Sequence, residues 1–202
     1  PEIISKLKDG ERNIIETGFE ASDKFNSIAS LVGKPKPSAF VTIQEGCDKF
    51  CTFCVVPYTR GKEVSRSQND ILSEIRESAK KGVKEVILLG QNVNSYNFEG
   101  ISFSSLIYSL AEIDEIKRIR FMTSHPRDMT DELINAFGVI PKLMPFLHLP
   151  VQSGSNRILK SMNRGHLVEE YVEIINKLRL KREDICFSSD FIVGYPGETD
   201  KD

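Results

Sequence analysis

"FVTIQEGCDKFCTFC", residues 40–54, runs a strand-length apolar stretch directly into three cysteines, Cys47, Cys51 and Cys54. The run "FVTIQEG" reads as a strand, and its apolar character suits a parallel strand covered by helices. The cysteines then stand on the loop that follows it. In parallel α/β barrels the C-terminal ends of the strands carry the chemistry. The spacing C-x3-C-x2-C supplies three thiols, whereas a closed structural zinc site takes four ligands. Three thiolates can hold a metal centre and leave one coordination position open.

The rest of the chain repeats this texture. Strand-length apolar runs recur at "EVILLG" (85–90), "RIRFMT" (118–123), "FLHLP" (146–150) and "ICFSSDFIVG" (185–194). Helical periodicity lies between them. Ile71, Leu72, Ile75 and Ala79 make one face of "SQNDILSEIRESAKKG", with Ser67 and Asp70 resembling a capping box and Gly82 a stop. Phe103, Leu106, Ile107, Leu110 and Ile113 make a second face, and Leu133, Ile134 and Phe137 mark a third, shorter helix. "NRILKSM" and "VEEYVEIINKLRL" supply the next two. Strand alternating with helix predicts a parallel α/β architecture, a barrel or an open sheet. Residues 1–37, with polar "KLKDGERN" and two prolines in "GKPKPSAF", read as a connector whose scattered apolar residues (Ile14, Ile15, Phe19, Phe25, Ile28) pack against something else.

Composition excludes several classes. The 202 residues suffice for one sizeable domain with its own core, and 40% apolar with 28% charged residues is ordinary for a globular protein. A formal net charge of −2 provides no global basic field for nucleic acid or membrane. No stretch reaches the roughly 18 consecutive apolar residues of a membrane span. No secretory signal is recognisable at Pro1-Glu2-Ile3-Ile4. Four cysteines, three of them clustered, do not make a disulfide framework, so the expected setting is a reducing cytoplasm with thiols free for metal.

Polar residues interrupt the apolar runs at the strand ends: Gln91, Asn92 and Asn94; Ser124 and His125; His148 and Gln152; Ser188, Ser189 and Asp190. Such residues cost free energy unless they meet a partner, and their convergence on one rim predicts a polar ligand. Blander readings stand beside these. The C-x2-C pair is equally the half-site of a structural zinc, His125 and His148 read as satisfied histidines, and Cys186 reads as a buried small hydrophobe. Arg60 and Arg66 in "TRGKEVSR" are candidate substrate contacts or merely a solvated basic turn. The glycines of "GYPGE" (194–198) signal no more than a turn.

"GCDKFCTFC" resembles the cysteine signature of the radical S-adenosylmethionine enzymes. "CVVPYTRGKEVSR", "LLGQNVNSY", "RFMTSHP", "HLPVQSGSNRILKSMNRGH" and "SSDFIVGYPGE" resemble, more narrowly, its methylthiotransferases, and the tRNA branch above all. That resemblance runs from about residue 40 to 200 and implies a partial (β/α) TIM-like barrel of the radical SAM type, truncated before its last unit. It implies a 4Fe-4S cluster on Cys47, Cys51 and Cys54 whose fourth iron is chelated by S-adenosylmethionine. Electron transfer would then break a sulfur–carbon bond and make the deoxyadenosyl radical. Phe53 would lie near the adenine and Gln91 and Asn92 at the methionine end, with Ser124, Gln152, Ser188 and Asp190 as further cofactor contacts. No residue stands out as a general acid or base.

The implied reaction adds a methylthio group to isopentenyl-adenosine beside the anticodon of tRNA. Sister branches modify a ribosomal-protein aspartate or threonylcarbamoyl-adenosine in tRNA, and outside enzymes a zinc-stabilised RNA-binding module remains open. The resemblance also implies a flavodoxin- or ferredoxin-type electron donor, no membrane, and a monomer. Relatives carry an N-terminal domain with a second 4Fe-4S cluster and a C-terminal RNA-binding β-barrel. Residues 1–37 are therefore expected to be the linker from that first domain, and residues 38–202 the radical SAM core, incomplete at its C-terminus.

Overall fold

The computed structural model describes residues 2–15, 25 and 36–202. A short helix α1 (Glu2–Lys8) precedes β1 (Ser38–Thr42), and β2 (Gln44–Glu45) pairs antiparallel with β3 (Val64–Ser65) around the cysteine loop and a one-turn helix α2 (Val56–Arg60). Then follow α3 (Gln68–Lys80), β4 (Glu85–Leu89), the small hairpin β5 (Asn97–Phe98) and β6 (Ile101–Ser102), and α4 (Phe103–Ala111). The chain continues through β7 (Arg118–Phe121), α5 (Asp131–Val139), β8 (Phe146–His148), α6 (Asn156–Ser161), α7 (Val168–Lys181) and β9 (Cys186–Ser188). Among the described residues no helix is long and apolar enough to cross a membrane.

All five predicted strand runs form strands, and they are laid side by side in chain order. β1, β4 and β7 make a parallel sheet, β8 and β9 a parallel pair, and a parallel bridge between Ile119 and Leu143 joins the two groups. A strand returning parallel to its neighbour needs a crossover, and α3, α4, α5 and the α6–α7 pair provide them. Among the described residues nothing pairs β9 with β1, so the wall is a partial barrel and not a closed one.

Helices cover one face of this wall. Ala39 and Val41 of β1, Val86 and Leu88 of β4, and Ile119 and Phe121 of β7 are buried there against Ile71, Ile75, Leu106, Leu110, Leu133 and Phe137. On the opposite face Phe40 is 60% exposed, and Arg118 and Arg120 hold Glu85 in a polar ladder at the start of the strands. The apolar runs therefore bury alternate residues. The caps also differ in detail: Ser67 sits at the start of α3 but its side chain makes no capping bond. Ser102, Thr130 and Ser155 do cap α4, α5 and α6, accepting from Ser105, Leu133 and Ile158 N–H groups. Gly82, at φ +98°, ends α3 as expected.

Cys186 is exposed, contrary to its sequence reading as a core residue. Among the described residues β9 pairs only with β8, and the Cys186 thiol reaches only the Asp184 carbonyl at 3.9 Å. Of the connector's named apolar residues, Phe19 and Ile28 lie outside the described residues, and Ile15 is exposed.

Leu110 is fully buried between sheet and helices, whereas Leu180 on α7 is exposed. Leu110→Ala should lower the unfolding free energy in urea by about 2–5 kcal/mol. Leu180→Ala should leave it within about 0.5 kcal/mol. Comparable losses in the two variants would contradict the one-sided core.

Candidate functional site

The segment from Gly46 to Cys54 has no regular structure, so its backbone polar groups must find partners elsewhere. Gln44, fully buried at the end of the first strand, starts the work. Its amide Nε2 donates to the Gly46 carbonyl at 2.6 Å, and its Oε1 accepts from the N–H groups of Gln91 (2.9 Å) and Asn92 (3.2 Å). Gln91 returns the link, its Oε1 accepting from Gly46 N–H at 2.7 Å. Gly46 has φ +83°, and a Cβ there would overlap the backbone carbonyl of Lys62. Only glycine fits.

The far end of the loop is held from α6. Thr52 N–H donates to the Met162 carbonyl at 3.1 Å, and Asn163 Nδ2 donates to the Lys49 (3.1 Å) and Phe50 (3.0 Å) carbonyls. Arg164, buried, donates from Nη1 to Cys51 Sγ at 3.6 Å and from Nη2 to the Pro150 carbonyl at 2.6 Å. Tyr195 of "GYPGE" closes the set, its hydroxyl 2.7 Å from Thr52 Oγ1. Thus "SMNRGH" and "GYPGE" act as clamps on the cysteine loop. Sequence reasoning missed Gln44, Asn163 and Arg164; the only signal was their position in quoted motifs.

Cys51 is buried, Cys47 and Cys54 half-buried, and all three thiols are free. Burial pushes the Cys47 thiol up; the Lys49 N–H opposes this, and Glu63, Cys51 and Cys54 push it further up. Ionising Cys47 is therefore made harder by its neighbours, and a bound cation would offset that cost. Among the described residues no three His, Cys, Asp or Glu side chains gather closely enough around a single ion. An iron–sulfur cluster asks for a different arrangement, because each thiolate takes its own iron. Three thiols on one pinned loop, with a guanidinium against the buried sulfur, fit that group.

The predicted rim residues fall into two linked sets. Beside the cysteine loop, Asn92 Nδ2 donates to Asp128 at 2.7 Å, Lys49 pairs with Asp128 at 2.6 Å, and Asn92 Oδ1 is buried without a partner. Asn94 brackets His125, donating to its carbonyl and accepting from its N–H, both at 2.9 Å. Across the wall, Ser124 donates to the His148 carbonyl at 2.8 Å. The His148 ring lies between Ser188 Oγ (2.8 Å) and Asp190 Oδ2 (3.4 Å). Gln152 adopts φ +75° and exchanges backbone bonds with Asp190 and Ile192. Phe53 is 39% exposed on the loop.

The two arginines part company. Arg60 is exposed at the end of α2, 3.7 Å from Glu45. Arg66 is buried, paired with Glu74 and donating to the Thr42 carbonyl, so its guanidinium serves the fold and not a solvated basic turn. Beside the loop a cavity of about 530 Å³ is lined by Asp48, Lys49, Glu63, Asn94, Arg127 and Asp128 among others. Glu63 accepts from Ser95 Oγ at 2.6 Å, and burial pushes its carboxyl up.

Residues 41–202 match the Radical SAM superfamily profile. The chain is 53% identical over 202 residues to a tRNA-2-methylthio-N(6)-dimethylallyladenosine synthase of Cereibacter sphaeroides, covering 100% of this chain and 46% of that protein. It is 54% identical over 207 residues to the protein of the same name from Rickettsia akari, with the same coverages. The chain thus spans about half the length of the curated relatives it matches. Among solved structures it resembles TsrM, a radical S-adenosylmethionine methyltransferase from Kitasatospora setae with tryptophan substrate and a SAM analogue bound. The TM-score is 0.66 at 14% identity, covering 82% of this chain and 32% of that one. It also resembles the cobalamin-dependent S-adenosylmethionine radical enzyme OxsB, at TM-score 0.59 and 16% identity, covering 76% of this chain and 23% of that one. At such identities these structures show a shared fold and no more.

His125 carries a pH signature. Burial, then Arg164, Lys49, His166 and Arg127, push its imidazole down to about 2, while the unfolded value is about 6.5. The folded site refuses a proton that the unfolded chain accepts, so this contribution is complete above about pH 6.5 and is lost as pH falls below it. Stability in urea should decline by about 1.4 kcal/mol per pH unit per such group between pH 6 and 5. His125→Gln should remove one proton's share of that slope; an unchanged slope would contradict a neutral buried ring. Separately, Gly46→Ala should cost about 1–3 kcal/mol in the same assay, from strain at positive φ and overlap with Lys62.

Proposed function

The chain belongs to the Radical SAM superfamily, and from that premise we propose that it forms the radical core of a tRNA methylthiotransferase acting on isopentenyl-adenosine beside the anticodon. The observation that carries the reading is the similarity of the whole chain to two synthases of that modification, together with a pinned three-thiol loop at the C-terminal edge of a parallel wall. In this reading residues 38–202 are the radical core, and residues 1–37 link it to a domain holding a second 4Fe-4S cluster.

Cys47, Cys51 and Cys54 would hold a 4Fe-4S cluster, which when bound supplies the electron that cleaves S-adenosylmethionine. The chain's own part is to bind, orient and exclude. Gln44 and Gln91 fix where the loop leaves the wall, and Asn163 and Arg164 fix where it returns. Asn92 offers a buried amide oxygen with no partner of its own to the amino end of the cofactor. Phe53 offers a half-open ring to its adenine. Ser124, Gln152, Ser188 and Asp190 line the opposite edge, where hydroxyl, amide and carboxylate groups suit a ribose. Arg60, at the loop's outer end, is the candidate contact to the tRNA backbone, whereas buried Arg66 supports the wall. We take the protein to work in the cytoplasm as a monomer, where its thiols stay reduced, with a flavodoxin- or ferredoxin-type donor.

Two experiments test this reading. Cys47→Ala, Cys51→Ala and Cys54→Ala should each lose most of the iron and sulfide taken up on anaerobic reconstitution, while Cys186→Ala keeps it and costs little stability because the side chain is exposed. Gln91→Ala should also impair cluster uptake, since its side chain holds the loop, whereas Asn92→Ala should keep the cluster and bind S-adenosylmethionine roughly tenfold to a hundredfold more weakly. The complete protein, incubated anaerobically with reductant, S-adenosylmethionine and either tRNA or ribosomal protein, should yield methylthiolated isopentenyl-adenosine by nucleoside mass spectrometry. A methylthiolated aspartate in its place would assign the chain to the ribosomal branch, and zinc in place of iron would remove it from catalysis.

A further inference from the structure

Arg164 is an unusual cation. Its side chain is 5% exposed, and among the described residues it forms no ion pair with any carboxylate. An arginine is almost never buried unless a counter-charge meets it. The groups it does meet are the Pro150 carbonyl and Cys51 Sγ, and its Nε has no partner. The two histidines beside it provide no negative charge: both rings are pushed down by burial first and by Arg164 among the neighbouring cations. The sulfur of Cys51 is the one contact able to carry the missing charge. Cys47 meets only the Lys49 backbone N–H, and among the described residues no charged side chain donates to the sulfur of Cys47 or Cys54.

We propose that Arg164 is a positioning residue that supplies the counter-charge to the Cys51 thiolate and raises the reduction potential of the cluster that this thiolate ligates. The proposal rests on the cluster reading given above. One electron passes from an external low-potential donor to the cluster, no bond within the protein changes, and the cluster becomes one unit more negative. A guanidinium hydrogen-bonded to a ligating sulfur favours that more negative state, because hydrogen bonds to the sulfurs and local charge set the potential of such clusters. The same contact fixes Cys51, the most buried ligand, from the far side of the wall. In this role Arg164 acts through Cys51.

The test compares the full chain with Arg164→Gln, Arg164→Lys and the control Arg157→Gln, whose guanidinium is exposed and pairs with Asp202. Each is reconstituted anaerobically with iron and sulfide, assayed for both, melted, and titrated with dithionite while the reduced cluster is followed by electron paramagnetic resonance. Arg164→Gln should keep its iron and show a midpoint potential lower by the equivalent of a tenfold change in the reduction equilibrium, about 59 mV for one electron. Arg164→Lys should recover part of that shift, and Arg157→Gln should match the unaltered chain. Iron lost from Arg164→Gln would overturn it, because the residue would then be needed to hold the cluster and not to set its potential. A potential in Arg164→Gln equal to the control, or loss of fold in both Arg164 variants, would overturn it by leaving only a packing role. An unaltered chain that takes up no iron and sulfide, or a Cys51→Ala variant that keeps them fully, would overturn the cluster reading itself.

Discussion

The side-chain amide of Asn163 donating to the carbonyls of Lys49 and Phe50 is the contact on which the arrangement of this protein most depends. A loop of nine residues without helix or sheet exposes its own donors and acceptors, and inside a protein each of these must be satisfied. Asn163 and Met162 meet them from one side, Gln44 and Gln91 from the other, and Arg164 meets the Cys51 sulfur. The loop is irregular but not free. Its geometry comes from side chains of neighbouring units rather than from its own repeat, so one loop holds three thiols without a scaffold of regular structure beneath them.

The one-sided burial of the wall follows from the same economy of contacts. Apolar residues alternate with polar or half-open ones along β1, β4 and β7, and the helices cover only the apolar side. Charged groups at the strand starts, Glu85 with Arg118 and Arg120, stabilise the end away from the cysteines. The groups able to bind a ligand gather at the opposite ends. A parallel arrangement makes this separation automatic, because every strand finishes on the same edge.

Periodicity made the scaffold legible, and the long-range links hid the rest. The five strand runs and the helices between them rest on local patterns of two and of three to four residues, which a sequence displays directly. The cysteine triplet was legible for the same reason. Gln44 looked like an ordinary strand-end polar residue, although its amide ties three backbone groups together. Arg164 lies 113 residues from Cys51 in the chain, and no local pattern announces such a contact. Cys186 misled because an apolar run does not reveal which strand lies at an edge, and Arg66 because a basic turn looks the same whether its arginine is solvated or paired. Gln91 was legible as a site residue but not in its task, which depends on Gly46 from a different loop.

The clamp on the cysteine loop has a consequence for synthesis of the chain. Thr52 is 109 residues from Ser161 and 143 from Tyr195, the partners that hold it. A ribosome adding roughly 5–20 residues per second leaves the three thiols without their anchors for several seconds to about half a minute after they appear. During that interval the loop has its nearer ties, such as those to Gln44 and Gln91, but not these later ones, and its thiols are open to stray metal and oxidant. Insertion of a cluster in the right geometry must therefore follow completion of residues 161–195. The order of the sequence makes maturation of this site a late event.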